Sequence, residues 1–240
     1  MGARIETRVF DDGEALAAGV ADAFVAAASA ASARPFTVAL AGGSTPKRLY
    51  ELLAVPPRRE RVRWDDVEFF FGDERSVPPD HPDSNYGMAK RALLDHVPSK
   101  THRMAAEKDD AAGYARVLAE RIARRRDGFP VLDLVLLGMG DDGHTASLFP
   151  GTKALDERTA WVVMNDVPQL HTRRMTLTYP VLNAAERVWM TIGGAGKRPM
   201  VAECLAAAAR NEMPRPILGV RPTAGELVWF LDKAAAGPTA

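Results

Sequence analysis

Apolar runs of strand length alternate with longer segments of helical period along almost the whole chain. Eight apolar runs predict strands, over residues 6–10, 36–43, 67–75, 131–138, 160–165, 175–179, 187–194 and 226–232. Apolar residues at helical spacing predict helices over residues 13–33, 46–54, 84–97, 111–125 and 196–210. Several of the strands are apolar on both faces, and helices lie between them. This pattern predicts an α/β fold, with a mostly parallel sheet that has helices on both faces.

No repeat, low-complexity segment or linker interrupts this alternation, so the sequence predicts one domain over residues 1–240. Two helix starts carry recognisable signals, because Pro46 suits a first helical turn and Ser84 suits an N-cap. The tail AAAGPTA (234–240) is predicted to be disordered.

The charge balance narrows the classes of partner. The chain has 31 basic and 31 acidic side chains, which gives a formal net charge of zero. The short basic runs at 58–63 and 121–126 are interrupted by apolar residues, as on solvated helix faces. We therefore predict no nucleic-acid partner.

The N-terminal sequence and the cysteine usage bear on the compartment. MGARIETRVF carries charges where a signal peptide needs an apolar core, and the Ala-rich stretch 15–33 is interrupted by Asp22. The one cysteine, Cys204, cannot form an internal disulfide and is predicted to be buried in a helix. These features predict a cytoplasmic protein with no membrane partner.

Three polar loops follow predicted strands. In open α/β sheets, ligands bind at the carboxyl ends of the strands. The loops with this placement are AGGSTP (41–46), GDERSVPPDHPDSNYG (72–87) and GMGDDGHTASLFPG (138–151). We expect them to converge on one site.

The first of these loops has the composition of an anion site. Gly42 and Gly43 can adopt tight backbone angles, while Ser44 and Thr45 lie at the start of the following helix. No GK[ST] closes the loop, so it is not a Walker A motif. Phosphate binding and plain helix capping both remain open for this loop alone.

The segment GMGDDGH (138–144) matches the G-x-G-x-x-G spacing of dinucleotide-binding turns. The following stretch breaks at Pro150, which leaves no room for the crossover helix that such a turn needs. Asp141 and Asp142 also put negative charge where a pyrophosphate would lie. We therefore predict no nicotinamide cofactor, and no other organic cofactor.

The same segment offers a histidine with a carboxylate two residues before it. An imidazole has an ordinary pKa of about 6.5, so His144 could take a proton from water near neutral pH. Asp142 could orient it, although a capping histidine is the alternative. The other histidines show no metal-ligand spacing, so no metal is predicted.

Cations complete the candidate site. Arg75, with Asp73 beside it at a strand end, could reach a substrate oxyanion or pair with the neighbouring carboxylates. The arginine pair at 173–174 precedes a strand, and Lys197 begins a helix. These residues could be solvated, or they could serve a phosphorylated ligand.

The assembled motifs resemble the 6-phosphogluconolactonase family. They include LAGGSTPKRLYELLA, FFFGDERSVPPDHPDSNYGMAKRALLDHV, LDLVLLGMGDDGHTASLFPGT and RRMTLTYPVLNAAERVWMTIGGAGK, and they extend from about residue 36 to about residue 231. The GGSTP-type loop and the DGH turn are also similar to those of glucosamine-6-phosphate deaminases. The resemblance implies the Rossmann-like fold of the deaminases and hydrolysis of 6-phospho-D-glucono-1,5-lactone, a step of the oxidative pentose phosphate pathway.

The resemblance also implies roles for individual residues. His144 would be the general base, Asp142 would hold its tautomer, and Arg75 or backbone amides would stabilise the oxyanion. The residues implied in binding the 6-phosphate are Gly42, Gly43, Ser44, Thr45, Arg174 and Lys197. Asp73 and Arg75 would contact the sugar hydroxyls or support this network. The implied partner is a small phosphorylated sugar lactone, with the protein as a monomer or weak dimer.

Two other functions fit part of this pattern. Deaminases carry a DGH followed by an FNEP-type segment with a glutamate, whereas Phe149 occupies that position here. A non-catalytic sugar-phosphate sensor could keep the phosphate residues but would not need Asp142 and His144. Phe149 favours the lactonase over the deaminase, and the retention of Asp142 and His144 favours it over the sensor.

Overall fold

The computed structural model describes residues 5–31 and 34–237. Its strands are β1 (Glu6–Phe10), β2 (Phe36–Leu40), β3 (Val67–Phe71), β4 (Asp73–Arg75), β5 (Lys100–Thr101), β6 (Arg125–Arg126), β7 (Phe129–Pro130), β8 (Leu134–Leu137), β9 (Val162–Val167), β10 (Thr172–Leu177), β11 (Arg187–Ile192) and β12 (Glu226–Asp232). Its helices are α1 (Gly13–Ala30), α2 (Ser44–Leu53), α3 (Asn85–Ala92), α4 (Ala111–Arg121), α5 (Tyr179–Ala184), α6 (Arg198–Ala209) and α7 (Lys233–Ala236).

Seven strands form one sheet in the order β1-β12-β11-β8-β2-β3-β5, and every neighbouring pair in it is parallel. The neighbouring strands β8, β2 and β3 are buried at every position, as their uninterrupted apolar sequences predict. The predicted mostly parallel sheet flanked by helices is therefore confirmed. Three further strands form a separate antiparallel sheet in the order β4-β10-β9.

Helix α1 shows how the core is closed. By length and composition it could cross a membrane, but its apolar side chains enter the core of this fold. The Phe24 ring packs edge-on against Phe36 and stacks with Phe69 and Trp64 at centroid distances of 5.9 to 6.4 Å. Such aromatic clusters bury large apolar areas. The N-terminal helix is thus joined to two neighbouring strands of the sheet.

Cys204 is buried in α6, as predicted.

The predicted strand 67–75 is wrong in one respect, because it is two strands in two sheets. The chain changes sheet at Gly72, whose N–H donates to the carbonyl of Leu40 in β2. The carbonyl of Gly72 accepts from the N–H of Leu177 in β10. Gly72 is therefore the junction that carries the residues of β4 away from the parallel sheet.

Other boundaries also differ from the predictions. Helix α5 was not predicted, and it begins at Tyr179, which the pattern had assigned to the end of a strand. The predicted helices 84–97 and 111–125 end earlier, at Ala92 and Arg121. The predicted disordered tail 234–240 needs correction at its start, because α7 is helical through 236 and buries Ala235; residues 238–240 lie outside the described residues.

Candidate active site

The three polar loops meet at one cavity of about 320 Å³ at the carboxyl ends of β2, β3 and β8. The predicted convergence is therefore confirmed. The predicted site residues that line this cavity are Gly42, Gly43, Asp73, Arg75, His144, Arg174 and Lys197. A larger cavity of about 580 Å³ lies beside α5 and the segment 213–216, and none of the predicted site residues lines it.

Asp142 stands behind the imidazole of His144 rather than in the cavity wall. Its Oδ1 lies 2.6 Å from Nδ1 of His144 and accepts the backbone N–H of His144 at 3.1 Å. Burial tends to raise the pKa of Asp142, but the hydrogen bonds from His144 outweigh it and hold the pKa below its ordinary value. An ionised carboxylate at Nδ1 favours the proton on that nitrogen, so Nε2 is left as the proton acceptor.

The glycines of this turn make room for the imidazole. A Cβ at Gly140 would overlap the His144 ring, and the N–H of Gly140 donates to the His144 carbonyl at 2.8 Å. Gly143 adopts a φ of 79°, a region that L side chains rarely enter, and it packs against Arg215. The spacing that imitates a dinucleotide fingerprint therefore serves the placement of a histidine.

The other face of the site is aromatic. The Phe149 ring stacks on the imidazole of His144, with centroids 3.9 Å apart and planes inclined by 25°. The guanidinium carbon of Arg174 lies 5.4 Å from the centroid of the same ring. Phe149 thus contacts two of the predicted site residues.

Two arginines face each other across the antiparallel sheet. Arg75 of β4 is the register partner of Arg174 of β10, and both line the cavity. Neither forms a salt bridge with any residue in the described part of the chain, and each has a buried Nε without a hydrogen-bond partner. Burial, and then the positive charge of Arg75, lower the pKa of Arg174. Nη1 of Arg75 donates to the backbone carbonyl of Asp83 at 2.7 Å, but neither guanidinium has a carboxylate in salt-bridge contact among the described residues. Such a pair of cations makes the cavity attractive to an anion.

The structure separates the two neighbouring arginines of the 173–174 pair. Arg173 points away from the cavity and pairs with Asp109 at 2.6 Å and with Asp166 at 2.8 Å. Arg174 is therefore the member of the pair that is placed to meet a ligand.

Lys197 already has an anionic partner. Its Nζ lies 2.5 Å from Oδ1 of Asp141, and both residues line the cavity. Asp141 is the more exposed of the two, with 88% of its side chain accessible against 27% for Lys197. An anionic ligand that reaches Lys197 would meet this carboxylate as well.

The GGSTP loop places a helix start at the cavity. Gly43 is the N-cap residue of α2 at a φ of 104°, and Ser44 and Thr45 form the first turn. No side chain of the described residues caps this turn, so plain capping by Ser44 or Thr45 does not explain the motif. Gly42 borders the amide group of Asn85, with which a Cβ would overlap.

Asp73 is buried and held by residues that the sequence reasoning did not select. Its Oδ2 accepts the hydroxyl of Ser147 at 2.6 Å, and its Oδ1 accepts Nδ2 of Asn85 at 3.2 Å. Asn85 and Ser147 both lie in the predicted polar loops, and this location is the signal by which the sequence could have identified them. The carboxylate of Asp73 is thereby fixed in the cavity wall.

Glu74 closes the loop between β4 and α3. Its carboxylate accepts the backbone N–H groups of Arg75, Asn85 and Tyr86 and the hydroxyl of Ser84. Burial raises its pKa above the ordinary value. Ser84 caps α3 as predicted, by accepting from the N–H of Gly87. Glu74 thus fixes both ends of the loop that carries Arg75.

Within residues 5–31 and 34–237, no group of three or more His, Cys, Asp and Glu side chains could hold a metal ion.

Comparisons with known proteins agree with the sequence resemblance. The family model described as glucosamine-6-phosphate isomerases/6-phosphogluconolactonase matches residues 11–229. A 6-phosphogluconolactonase of a Nostoc species is 44% identical over 207 residues, which cover 83% of each chain. One of a Synechocystis species is 41% identical over 206 residues, which cover 83% of this chain and 82% of the relative.

Solved structures are similar over nearly the whole chain. The 6-phosphogluconolactonase of Trypanosoma brucei has a TM-score of 0.84 and 30% identity, with 98% of each chain covered. A monomeric glucosamine-6-phosphate deaminase has a TM-score of 0.79 at 18% identity, covering 97% of this chain and 99% of the deaminase. At that identity the second comparison supports a shared fold alone.

Proposed function

Because the chain belongs to the glucosamine-6-phosphate isomerase/6-phosphogluconolactonase family, we propose that it hydrolyses 6-phospho-D-glucono-1,5-lactone to 6-phospho-D-gluconate. The observation that carries the proposal is the imidazole of His144, held by Asp142 in a cavity that also presents Arg75 and Arg174. This reaction needs a base that deprotonates the attacking water and cations that bind the phosphate of the substrate.

The reaction begins with attack of water on the lactone carbonyl carbon. Nε2 of His144 takes a proton from the water as the new C–O bond forms, and Asp142 keeps Nδ1 protonated. The carbonyl oxygen becomes an oxyanion, for which we propose Arg75 as a donor because its guanidinium faces the cavity without a carboxylate partner among the described residues. Collapse breaks the bond to the ring oxygen, which takes the proton from His144.

The 6-phosphate is at the other end of the sugar from the carbonyl carbon. We propose that Arg174, Lys197 and the amino end of α2, with Gly42, Gly43, Ser44 and Thr45, bind it. A guanidinium without a salt bridge among the described residues and a helix amino end both favour a phosphate dianion. Binding at this remote group would position the reacting carbon beside His144.

Asp73 is proposed to accept hydrogen bonds from sugar hydroxyls. Its carboxylate is fixed by Ser147 and Asn85, so it is oriented before the sugar arrives. Phe149, where deaminases have a glutamate, puts an apolar ring against the base. This difference supports hydrolysis of a lactone rather than deamination.

The proposal includes no metal or organic cofactor and no nucleic-acid or membrane partner. It also includes a cytoplasmic location and a monomer or weak dimer.

The test is hydrolysis of freshly generated 6-phospho-D-glucono-1,5-lactone, followed through an excess of 6-phosphogluconate dehydrogenase and compared with the spontaneous rate. We expect His144→Ala to lower kcat by roughly 10² to 10⁴. His96→Ala is the matched control, because His96 is exposed, lies outside this cavity, and its side chain has one hydrogen bond among the described residues, with the Arg91 carbonyl. Turnover that survives His144→Ala would discard the base, and a wild type no faster than the spontaneous reaction would overturn the function.

A further inference from the structure

Phe149 is the one residue of the loop 145–150 whose ring touches both the proposed base and a proposed phosphate cation. We propose that Phe149 is a positioning residue, which fixes the ring plane of His144, stabilises the imidazolium as it forms, and holds Arg174 at a set distance from it. This inference rests on the proposed function and deepens it. Phe149 itself is 2% exposed, so its ring is fixed by packing.

The hydrogen bond from Asp142 does not by itself determine where Nε2 points. It fixes Nδ1 at 2.6 Å, but the imidazole could still tilt about that contact. The backbone of Gly140 borders the ring, and the Phe149 ring covers a face of it at 3.9 Å. With these contacts, tilting requires movement of a buried aromatic side chain. The direction of Nε2 toward the attacking water is therefore set by Phe149 together with Asp142.

Stacking also favours the charge that develops during the reaction. His144 is neutral before the proton transfer and cationic after it, and a cation over an aromatic face is attracted to the ring. This attraction is stronger in the transition state than in the ground state. It therefore lowers the barrier to proton transfer and does not raise the affinity for the substrate. An aliphatic side chain of similar size would fill the space without this effect.

Arg174 depends on the same ring. Its guanidinium forms no hydrogen bond or salt bridge with the described residues, and its contact with Phe149 is the oriented one that holds it. One rigid ring thus sets the spacing between the base and a cation for the phosphate. Loss of the ring should affect kcat through His144 and KM through Arg174.

Other charged groups face this region, and none of them is substituted in the test. Asp142 contacts the imidazole directly, and Arg215 packs against the same turn at Gly143. The remaining charged side chains that line the cavity are Asp73, Arg75, Asp141, Arg174 and Lys197. Arg174 contacts the Phe149 ring, so a shift in pH dependence reports the loss of the ring together with any displacement of that guanidinium.

The experiment compares Phe149→Leu with Phe149→Tyr, which keeps an aromatic face. We expect Phe149→Leu to lower kcat on the order of tenfold and to raise KM several-fold. The acid limb of its kcat/KM profile should move to lower pH, because the imidazolium loses a stabilising contact. Phe149→Tyr should stay within about threefold of wild type in both constants.

The matched control is Phe70→Leu. Phe70 is also fully buried and also stacks on a histidine, His102, at 4.8 Å, but neither residue lines the cavity. It should lower the melting temperature without moving the acid limb. If Phe149→Leu behaves like Phe70→Leu, or if a folded Phe149→Tyr is as impaired as Phe149→Leu, the inference is overturned.

A second readout does not depend on turnover. The ¹⁵N resonances of the His144 ring, followed by NMR against pH, should show that the imidazolium loses its proton at a lower pH in Phe149→Leu than in the wild type, with no such change in Phe149→Tyr. An unchanged NMR titration in that variant would also overturn the inference. Wild-type turnover that is absent would instead overturn the proposed function, so the two failures can be told apart.

Discussion

The carboxylate of Asp142 accepts both the backbone N–H and the ring Nδ1 of His144, at 3.1 and 2.6 Å. One side chain therefore fixes the backbone turn and the imidazole together. In Asp142→Asn, the amide can donate to Nδ1 and favour the tautomer in which Nε2 carries the proton. We expect kcat to fall about 100-fold with KM within about threefold, as measured in the coupled lactone assay. A folded Asp142→Asn variant with wild-type kcat would contradict this role.

A methyl group at Gly140 should displace the imidazole without a change of charge. A Cβ there would overlap the His144 ring, whereas a Cβ at Gly13, at the start of α1 and outside the cavity lining, makes an ordinary contact of 3.8 Å with Asp232. We expect Gly140→Ala to lower kcat at least tenfold and Gly13→Ala to leave kcat near the wild-type value. Equal kcat values in the two variants would show that the packing of this turn does not position the base.

The two neighbouring arginines of β10 offer a matched pair for the phosphate site. Arg174 lines the cavity without a counter-ion in the described structure, while Arg173 pairs with Asp109 and Asp166 outside it. A hydrogen bond to a charged group contributes about 1.5–3 kcal/mol, so Arg174→Ala should raise KM by roughly 10- to 100-fold. Arg173→Ala should leave KM within about twofold.

Calorimetric titration with the product 6-phosphogluconate would check the same pair without turnover. Affinity should fall in Arg174→Ala and remain in Arg173→Ala. A loss of affinity in Arg173→Ala instead of Arg174→Ala would show that Arg173 binds the phosphate.

The sequence predicts the parts of this fold that depend on local pattern. The strands β2, β3 and β8 are apolar throughout because both of their faces are buried, and the carboxyl-end rule then places three loops at one site. The break at Gly72 was missed because it depends on pairing with β10, whose residues are about a hundred positions away. Local pattern carries no signal for such a partner.

The candidate site divides in the same way. The neighbours Asp142 and His144 could be recognised as a pair, because two residues of one turn must lie close together. Contacts such as Ser147 with Asp73, or Lys197 with Asp141, join residues 74 and 56 positions apart, and only the folded chain brings them together. Phe149 was noted for what it replaces, whereas its stacking on the base became visible only in three dimensions.

The ion pair between Asp141 and Lys197 should compete with the substrate phosphate. Lys197 must give up or share Asp141 when a dianion arrives, and the carboxylate repels that dianion. We expect Asp141→Asn to lower KM by about two- to fivefold at low salt, because an exposed carboxylate is screened by solvent. The difference should shrink as ionic strength rises, which steady-state assays at two salt concentrations would measure. A higher KM in Asp141→Asn would mean that the carboxylate positions Lys197 instead.

Glu74 should make the stability of the wild type depend on pH. Burial raises the pKa of its carboxyl above the ordinary value of about 4.5, so in the window above 4.5 the folded protein binds more protons than the unfolded chain. The free energy of unfolding therefore contains a contribution from Glu74 that falls as pH rises through this window and is level above it.

Glu74→Gln removes that titration and also weakens the bonds to the N–H groups of Asn85 and Tyr86. We expect the variant to be less stable by about 1–3 kcal/mol in urea unfolding at neutral pH, because buried donors lose an acceptor. The wild-type free energy minus that of Glu74→Gln should decrease from pH 4.5 upward. A difference that increases with pH would mean that the N–H donors and Ser84 outweigh burial, so that the carboxyl is ionised more easily in the folded protein than in the unfolded chain.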